Sequence, residues 1–407
     1  METTTALSEA GLRRVLVVLC GTLIVSWGVL YYAFPVLATS ISADTGWSLS
    51  TVTAAFSTGL AVSALVGIPA GRLLDRLGPR LVMTTGSVLG VPALVGLAAA
   101  PTLPWFFAAW VLVGVAMAGT LYAPAFAALT RWWGSRRVTA LTAATLFAGL
   151  ASVVFAPLTA VLVEASDWRR TYLVLAVGLA VTTVPAHVFG LRGAWPAPDP
   201  AAPEHTDPGA TARSRPFVLG GLAVGLGSFT AFAVIVNQVP LLVERGLSTS
   251  EAAWALGLGG LGQTLGRLGY RWLVDTLSVR VRGVVILLAT AGTTGLMAVV
   301  PGPTSLLIAV AMLAGTARGV LTLFQATAVS DRWGAAHYGR LNGILSAPVM
   351  LATALAPWAG AALAEVLGGY PAVFVVLAGI AVVAAACAVG SVPRGSPTDV
   401  PGRGDAT

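Results

Sequence analysis

Apolar residues recur in long runs separated by short polar joints, and the runs have the length of a bilayer crossing. They fall at about 14 to 38, 50 to 74, 80 to 99, 103 to 128, 138 to 164 and 170 to 191. A second set follows at about 216 to 242, 250 to 274, 280 to 300, 303 to 328, 338 to 364 and 370 to 392. A bilayer core takes about 20 apolar residues per crossing. Each run therefore predicts one transmembrane helix, twelve in all. Between the two sets lies WPAPDPAAPEHTDPGATARSR, residues 195–215, whose prolines and polar groups cannot span a membrane and predict a flexible connector. The predicted organisation is a tail at 1–13, a six-helix half at 14–191, a linker at 192–215, a second half at 216–392 and a tail at 393–407.

Composition agrees with that pattern. Charged residues make up 10% and hydrophobic residues 57% of the chain, where a soluble domain carries about a quarter charged. No stretch is left for a separate soluble domain. The net charge of +7 does not point to nucleic acid, because the basic residues are dealt out along the chain instead of gathered on one face. All 23 of them are arginine. Positive charge stays on the cytoplasmic side, and with the N-terminus inside, eighteen arginines from Arg13 to Arg403 fall in inside segments. Only Arg169, Arg170 and Arg245 fall outside. Twelve crossings then place both termini in the cytoplasm. The first run is too long for a signal-peptide core and has no clear cleavage site, so it reads as an uncleaved anchor. Cys20 and Cys387 stand alone in opposite terminal helices and suggest packing, with neither metal nor disulfide spacing.

The two sets are copies. A shift of 200 residues brings Gly46, Ser48, Ser50 and Gly59 onto Gly246, Ser248, Ser250 and Gly259. The same shift aligns Asp75 with Asp275, Arg80 with Arg280, Trp133-Gly134 with Trp333-Gly334, and Ala156-Pro157 with Ala356-Pro357. Asp, Arg, Trp and Pro are scarce in this chain, so one constant shift through them marks an internal repeat.

The second crossing ends in GRLLDRLGPR, residues 71–80. Gly71 permits close helix approach, Gly78 a tight turn, and Asp75 can sit beside cationic side chains or a helix N-terminus. This loop, after the second of twelve helices, resembles the signature of the major facilitator superfamily. The resemblance implies two pseudo-symmetric six-helix halves and alternating access, with Asp75, Arg76 and Arg80 in a cytoplasmic latch whose repeat holds Asp275 and Arg280. Within that superfamily the chain is similar to bacterial relatives of monocarboxylate and oxalate/formate porters. That likeness rests on GWS at 46–48, RWWGSRR at 131–137, Gly149 with Pro157, and DWRRTY at 167–172. Two departures stand out. Gln263 occupies the place, four residues before Arg267, where the family often has Asp, and no Lys is present for the family's usual lysine. FAPLTA at 155–160 also lacks the glycine pairs usual in the drug-antiporter branches.

The acidic residues lie in tails, loops or helix ends, whereas two arginines lie deep: Arg267, eight residues from Asp275, and Arg318, near the middle of the tenth run. A central intramembrane arginine costs about 2.5–3.5 kcal/mol on insertion scales and marks a functional site by default. A guanidinium fork suits a carboxylate or oxyanion. Two other uses stay open: Arg267 can reach toward the cytoplasmic interface, and Arg318 can bond the carbonyls of a broken helix. Candidate substrate contacts at cavity depth are Tyr31, Tyr32, Tyr122, Asn237, Gln238 and Gln263, with Trp27 and Gln325 as further polar or aromatic groups, while His187 reads as structural.

No catalytic constellation, phosphate loop or metal spacing is present, so the sequence points to a transporter without cofactor and not to an enzyme. The expectation is a monomeric, multi-pass protein of a bacterial cytoplasmic membrane that moves a small, carboxylate-like anion. An exporter of a drug, metalloid or metabolite is the alternative, and a non-transporting membrane sensor a further one.

Overall fold

The computed structural model describes residues 7–195, 211–333 and 338–393. Most of the expected linker, Gly334, Arg394, Arg403 and the two chain ends lie outside the described residues. All regular structure among those described is helical. The long helices are α1 (Glu9–Thr45), α2 (Leu49–Leu77), α3 (Pro79–Ala98), α4 (Leu103–Trp133), α5 (Thr139–Ala165) and α6 (Trp168–Gly190). They continue with α7 (Arg215–Glu244), α8 (Thr249–Thr276), α9 (Val279–Val299), α10 (Thr304–Thr327), α11 (Tyr338–Leu367) and α12 (Tyr370–Val389).

Eleven of these helices are long and apolar enough to cross a membrane. The helix α8 has the length without the apolarity, because its 28 residues include Gln263, Arg267, Arg271 and six glycines. Helix α1 starts at Glu9, ahead of the apolar run expected from 14, because Ser8 caps it by accepting from the backbone N–H of Gly11. Residues 192–195, assigned to the linker, are packed onto the first half through Trp195.

The chain forms two compact units, Met1–Ala202 and Pro203–Thr407. In the first, α1 packs on α5 and α6, α2 on α4, and α3 on α4 and α6. In the second, α7 packs on α11 and α12, α8 on α10, and α9 on α10 and α12. The pairing order is the same, so the 200-residue repeat is a repeat of structure. Its markers have local causes. Gly46 and Gly246 hold φ of +73° and +90° at the turns after α1 and α7, and Ser48 and Ser248 cap α2 and α8. Such a turn needs glycine because a Cβ opposes the left-handed conformation.

Lipid offers no hydrophobic drive for helices to associate, so close packing through small residues must supply it. In the first unit α2 and α4 meet at Gly59 and Gly114: a Cβ on Gly114 would lie 2.2 Å from the Gly59 carbonyl oxygen. The equivalent contact, Gly315 against the Gly259 carbonyl at 1.9 Å, joins α8 and α10. There the seam runs further. A Cβ on Gly262, Gly266 or Gly319 would lie 2.2, 2.3 or 2.0 Å from the carbonyl oxygens of Met312, Thr316 and Gln263. Backbone lies on backbone for about two turns.

Candidate functional site

The glycine seam delivers the deep arginines. Arg318 leaves α10 between Gly315 and Gly319, and its Nε donates to Gln263 Oε1 on α8 at 3.2 Å. Arg267 follows Gln263 by one helical turn on α8. All three are buried. A side chain larger than hydrogen at the seam positions would push the helices apart, so the glycines set the spacing at which one helix's guanidinium reaches the other's amide. The bond orients Arg318 across the seam, and a guanidinium is a group suited to an oxyanion.

The neighbouring α7 carries two more predicted residues, which differ in use. Asn237 donates from Nδ2 to the carbonyls of Ala233 at 2.9 Å and Pro357 at 3.2 Å. It lies against Gly360, where a Cβ would come within 2.2 Å of that nitrogen. Asn237 thus fastens α7 to α11 at Pro357. Gln238 is fully buried, and neither its amide oxygen nor its nitrogen has a hydrogen-bond partner among the described residues. Gln325, on α10, accepts from Ser228 Oγ at 3.1 Å and links α7 to α10.

In the first unit the aromatic candidates converge. Trp27 lies 5.3 Å from Tyr31, 6.4 Å from Tyr32 and 5.0 Å from Tyr122, and Tyr31 and Tyr32 are 5.1 Å apart. Two irregularities bring them together. Residues Gly28–Tyr32 form a π-helical turn within α1, and the ring of Phe155 occupies the space where a Cβ on Gly28 would be. Helix α4 breaks at Leu121 (φ −87°, ψ −154°), and Tyr122 starts its second segment. π-turns and broken helices in membranes cluster at functional sites. Neither was visible in the hydropathy pattern, which runs straight through both. His187 is buried, with Nδ1 at 2.8 Å from Ser87 Oγ and 3.2 Å from the Met83 carbonyl, a tie between α6 and α3.

The α2–α3 loop holds its aspartate through a cationic side chain of another helix. Asp75 accepts from Arg131 Nη2, at the end of α4, at 2.6 Å, and not from Arg76 or Arg80, both of which are exposed. Gly71 and Asp75 line a cavity of about 120 Å³ with Gly67, Ala118 and Pro124, and Gly78 makes the turn at φ +79°. In the second unit Asp275 pairs with Arg271 on its own helix at 3.7 Å, both exposed, and not with Arg280, which is half-buried. The shift of 200 explains the difference: Arg131 falls opposite Asp331. Asp275 therefore faces no equivalent cation, and Asp331 accepts instead from Arg282 Nη2 on α9. Beside it Arg332, in the helical turn Ser330–Trp333, donates to Ser391 Oγ at 3.1 Å and to the Ala328 carbonyl at 3.0 Å. The pairing roles of Arg131, Arg282 and Asp331 escaped the sequence reading, although the opposite charges at 131 and 331 were a usable signal.

Comparison with known proteins agrees with the fold. The family model of the Major Facilitator Superfamily matches residues 19–306 and 219–406. Monocarboxylate transporter 13 of Bos taurus is 27% identical over 359 residues, covering 86% of this chain and 81% of that protein. Multidrug resistance protein MdtL of Klebsiella pneumoniae is 29% identical over 223 residues, covering 54% of this chain and 55% of that one. Among solved structures, a bacterial homolog of the human lysosomal transporter Spinster superposes with a TM-score of 0.76 at 16% identity, over 94% of this chain and 98% of that one.

Proposed function

The chain belongs to the major facilitator superfamily, and from that premise we propose that it is a secondary transporter carrying a small, carboxylate-like anion by alternating access. It works as a monomer in a bacterial cytoplasmic membrane, with twelve crossings and both termini inside. Arg318 and Arg267 hold the negative group. The observation that carries this reading is Arg318 itself: a buried guanidinium in mid-helix, oriented through Nε by Gln263 across a seam of glycines. The similarity to monocarboxylate transporter 13 supports the substrate class. Gln238, whose amide has no hydrogen-bond partner among the described residues, supplies a further contact of the kind that orients a small ligand. The spans carry carboxylates only near their ends, so a proton would travel on the anion itself, or a second anion would be exchanged.

The test is uptake of radiolabelled lactate and oxalate into proteoliposomes. Losing a charge-assisted pair costs about 1.5–3 kcal/mol, so Arg318→Ala should lower uptake about 10- to 100-fold, with Arg318→Lys intermediate and both eluting as the parent does on gel filtration. Uptake unchanged in Arg318→Ala would sink the assignment. The similarity to MdtL favours a second reading, an exporter; resistance conferred on expression and insensitive to Arg318 replacement would select it.

A further inference from the structure

Trp195 lies five residues beyond the end of α6, in a stretch whose composition reads as connector. Its side chain touches every part of the Asp75 loop that matters. The indole Nε1 donates to the backbone carbonyl of Asp75 at 3.1 Å, the same carbonyl that Arg131 Nη1 approaches at 3.4 Å. The Arg131 guanidinium stands 4.5 Å from the centre of the Trp195 ring while its other nitrogen holds the Asp75 carboxylate. Gly78 presents a bare backbone to the ring, where a Cβ would lie 3.3 Å from it. From behind, Trp132 packs edge-on at 5.4 Å and donates through its indole to the Ala194 carbonyl at 3.0 Å.

We propose that Trp195 is a positioning residue for the Asp75–Arg131 pair, fixing the guanidinium over its ring and the Asp75 backbone beneath its N–H, so that the chain leaving α6 sets how readily the pair opens. The inference rests on reading the α2–α3 loop as the latch of a transporter and is independent of what is carried. A guanidinium held between a ring face and a carboxylate loses little further freedom when the pair closes. The grip belongs to the first half: position 395, the repeat of Trp195, is glycine, and position 332, the repeat of Trp132, is arginine.

The test needs no substrate. In protein with Cys20 and Cys387 replaced by alanine, a cysteine is placed at Ala127, which lines the cavity beside Asp75, and its alkylation by N-ethylmaleimide is timed in proteoliposomes. Trp195→Ala and Arg131→Gln should each speed alkylation about three- to five-fold, the scale of a lost cation–π contact. The double variant should be no faster than either single one, because Trp195 acts through Arg131. Trp195→Phe, which keeps a ring face, should recover more than half of the effect. An unchanged rate in Trp195→Ala, or an effect that multiplies with Arg131→Gln, overturns the proposal. A rate unmoved by Arg131→Gln as well removes the latch reading with it. Lactate and oxalate uptake, measured separately, leaves both outcomes unaffected.

Discussion

Arg282 and Arg332 count, from sequence, as two more positive charges on the inner side. The fold buries both and gives them one carboxylate, Asp331, to share. Burial holds the Arg332 guanidinium pKa down to about 10, well below its ordinary value, with Asp331 opposing that shift and Arg282 adding to it. A base with a lowered folded value costs stability wherever it is charged, and that cost is relieved only as pH rises through about 10 and above. Arg332 therefore adds no pH dependence to stability across about pH 5 to 9. Removing Asp331 is a different matter, since it strands a buried charge. Asp331→Asn should destabilise the protein by about 2–4 kcal/mol, read as a lower unfolding temperature in detergent. Asp75→Asn, whose carboxylate is 56% exposed, should cost about 0–1 kcal/mol. Equal losses in the two variants would contradict this account.

At the scale of helices, the glycine seam of α8 and α10 decides where Arg318 points. Gly319→Ala must open a gap or distort backbone, because its Cβ would meet the Gln263 carbonyl at 2.0 Å. The expected cost is about 1–3 kcal/mol, with uptake impaired because the Arg318–Gln263 bond lengthens. Gly292→Ala in α9, with nothing within 4 Å, should be neutral or stabilising by up to about 1 kcal/mol. Matched unfolding curves for the pair would refute the seam. Sequence alone could not separate these two glycines, for what distinguishes them is the carbonyl of another helix. The π-turn at Gly28–Tyr32 and the break at Leu121 were hidden for a related reason. Hydropathy averages over a turn or more, and neither irregularity changes which residues are apolar. The deep arginines were legible, because a charge inside an apolar run is costly wherever its helix packs.

For the whole molecule, run length and a constant repeat were enough to foretell helices in two matching sets, because lipid leaves a helix no other way to satisfy its backbone. The weak point is α8, whose glycines and polar residues dilute it. Alkaline phosphatase fused after Gly246 should be active, and fused after Ser278 inactive, if α8 crosses the membrane with both termini inside. Activity at both sites would leave α8 short of a crossing.

The reversal of charge between Arg131 and Asp331 has a consequence for how the two halves respond to their surroundings. The Asp75 carboxylate is 56% exposed, so its pair with Arg131 is open on one side to mobile ions, which shield charges beyond about 8 Å at physiological ionic strength. The Arg282–Asp331 pair is largely enclosed, its arginine side chain 4% exposed, and dissolved ions cannot reach between its partners. A swing in ionic strength would therefore loosen the Asp75–Arg131 fastening of one half more than the Arg282–Asp331 fastening of the other.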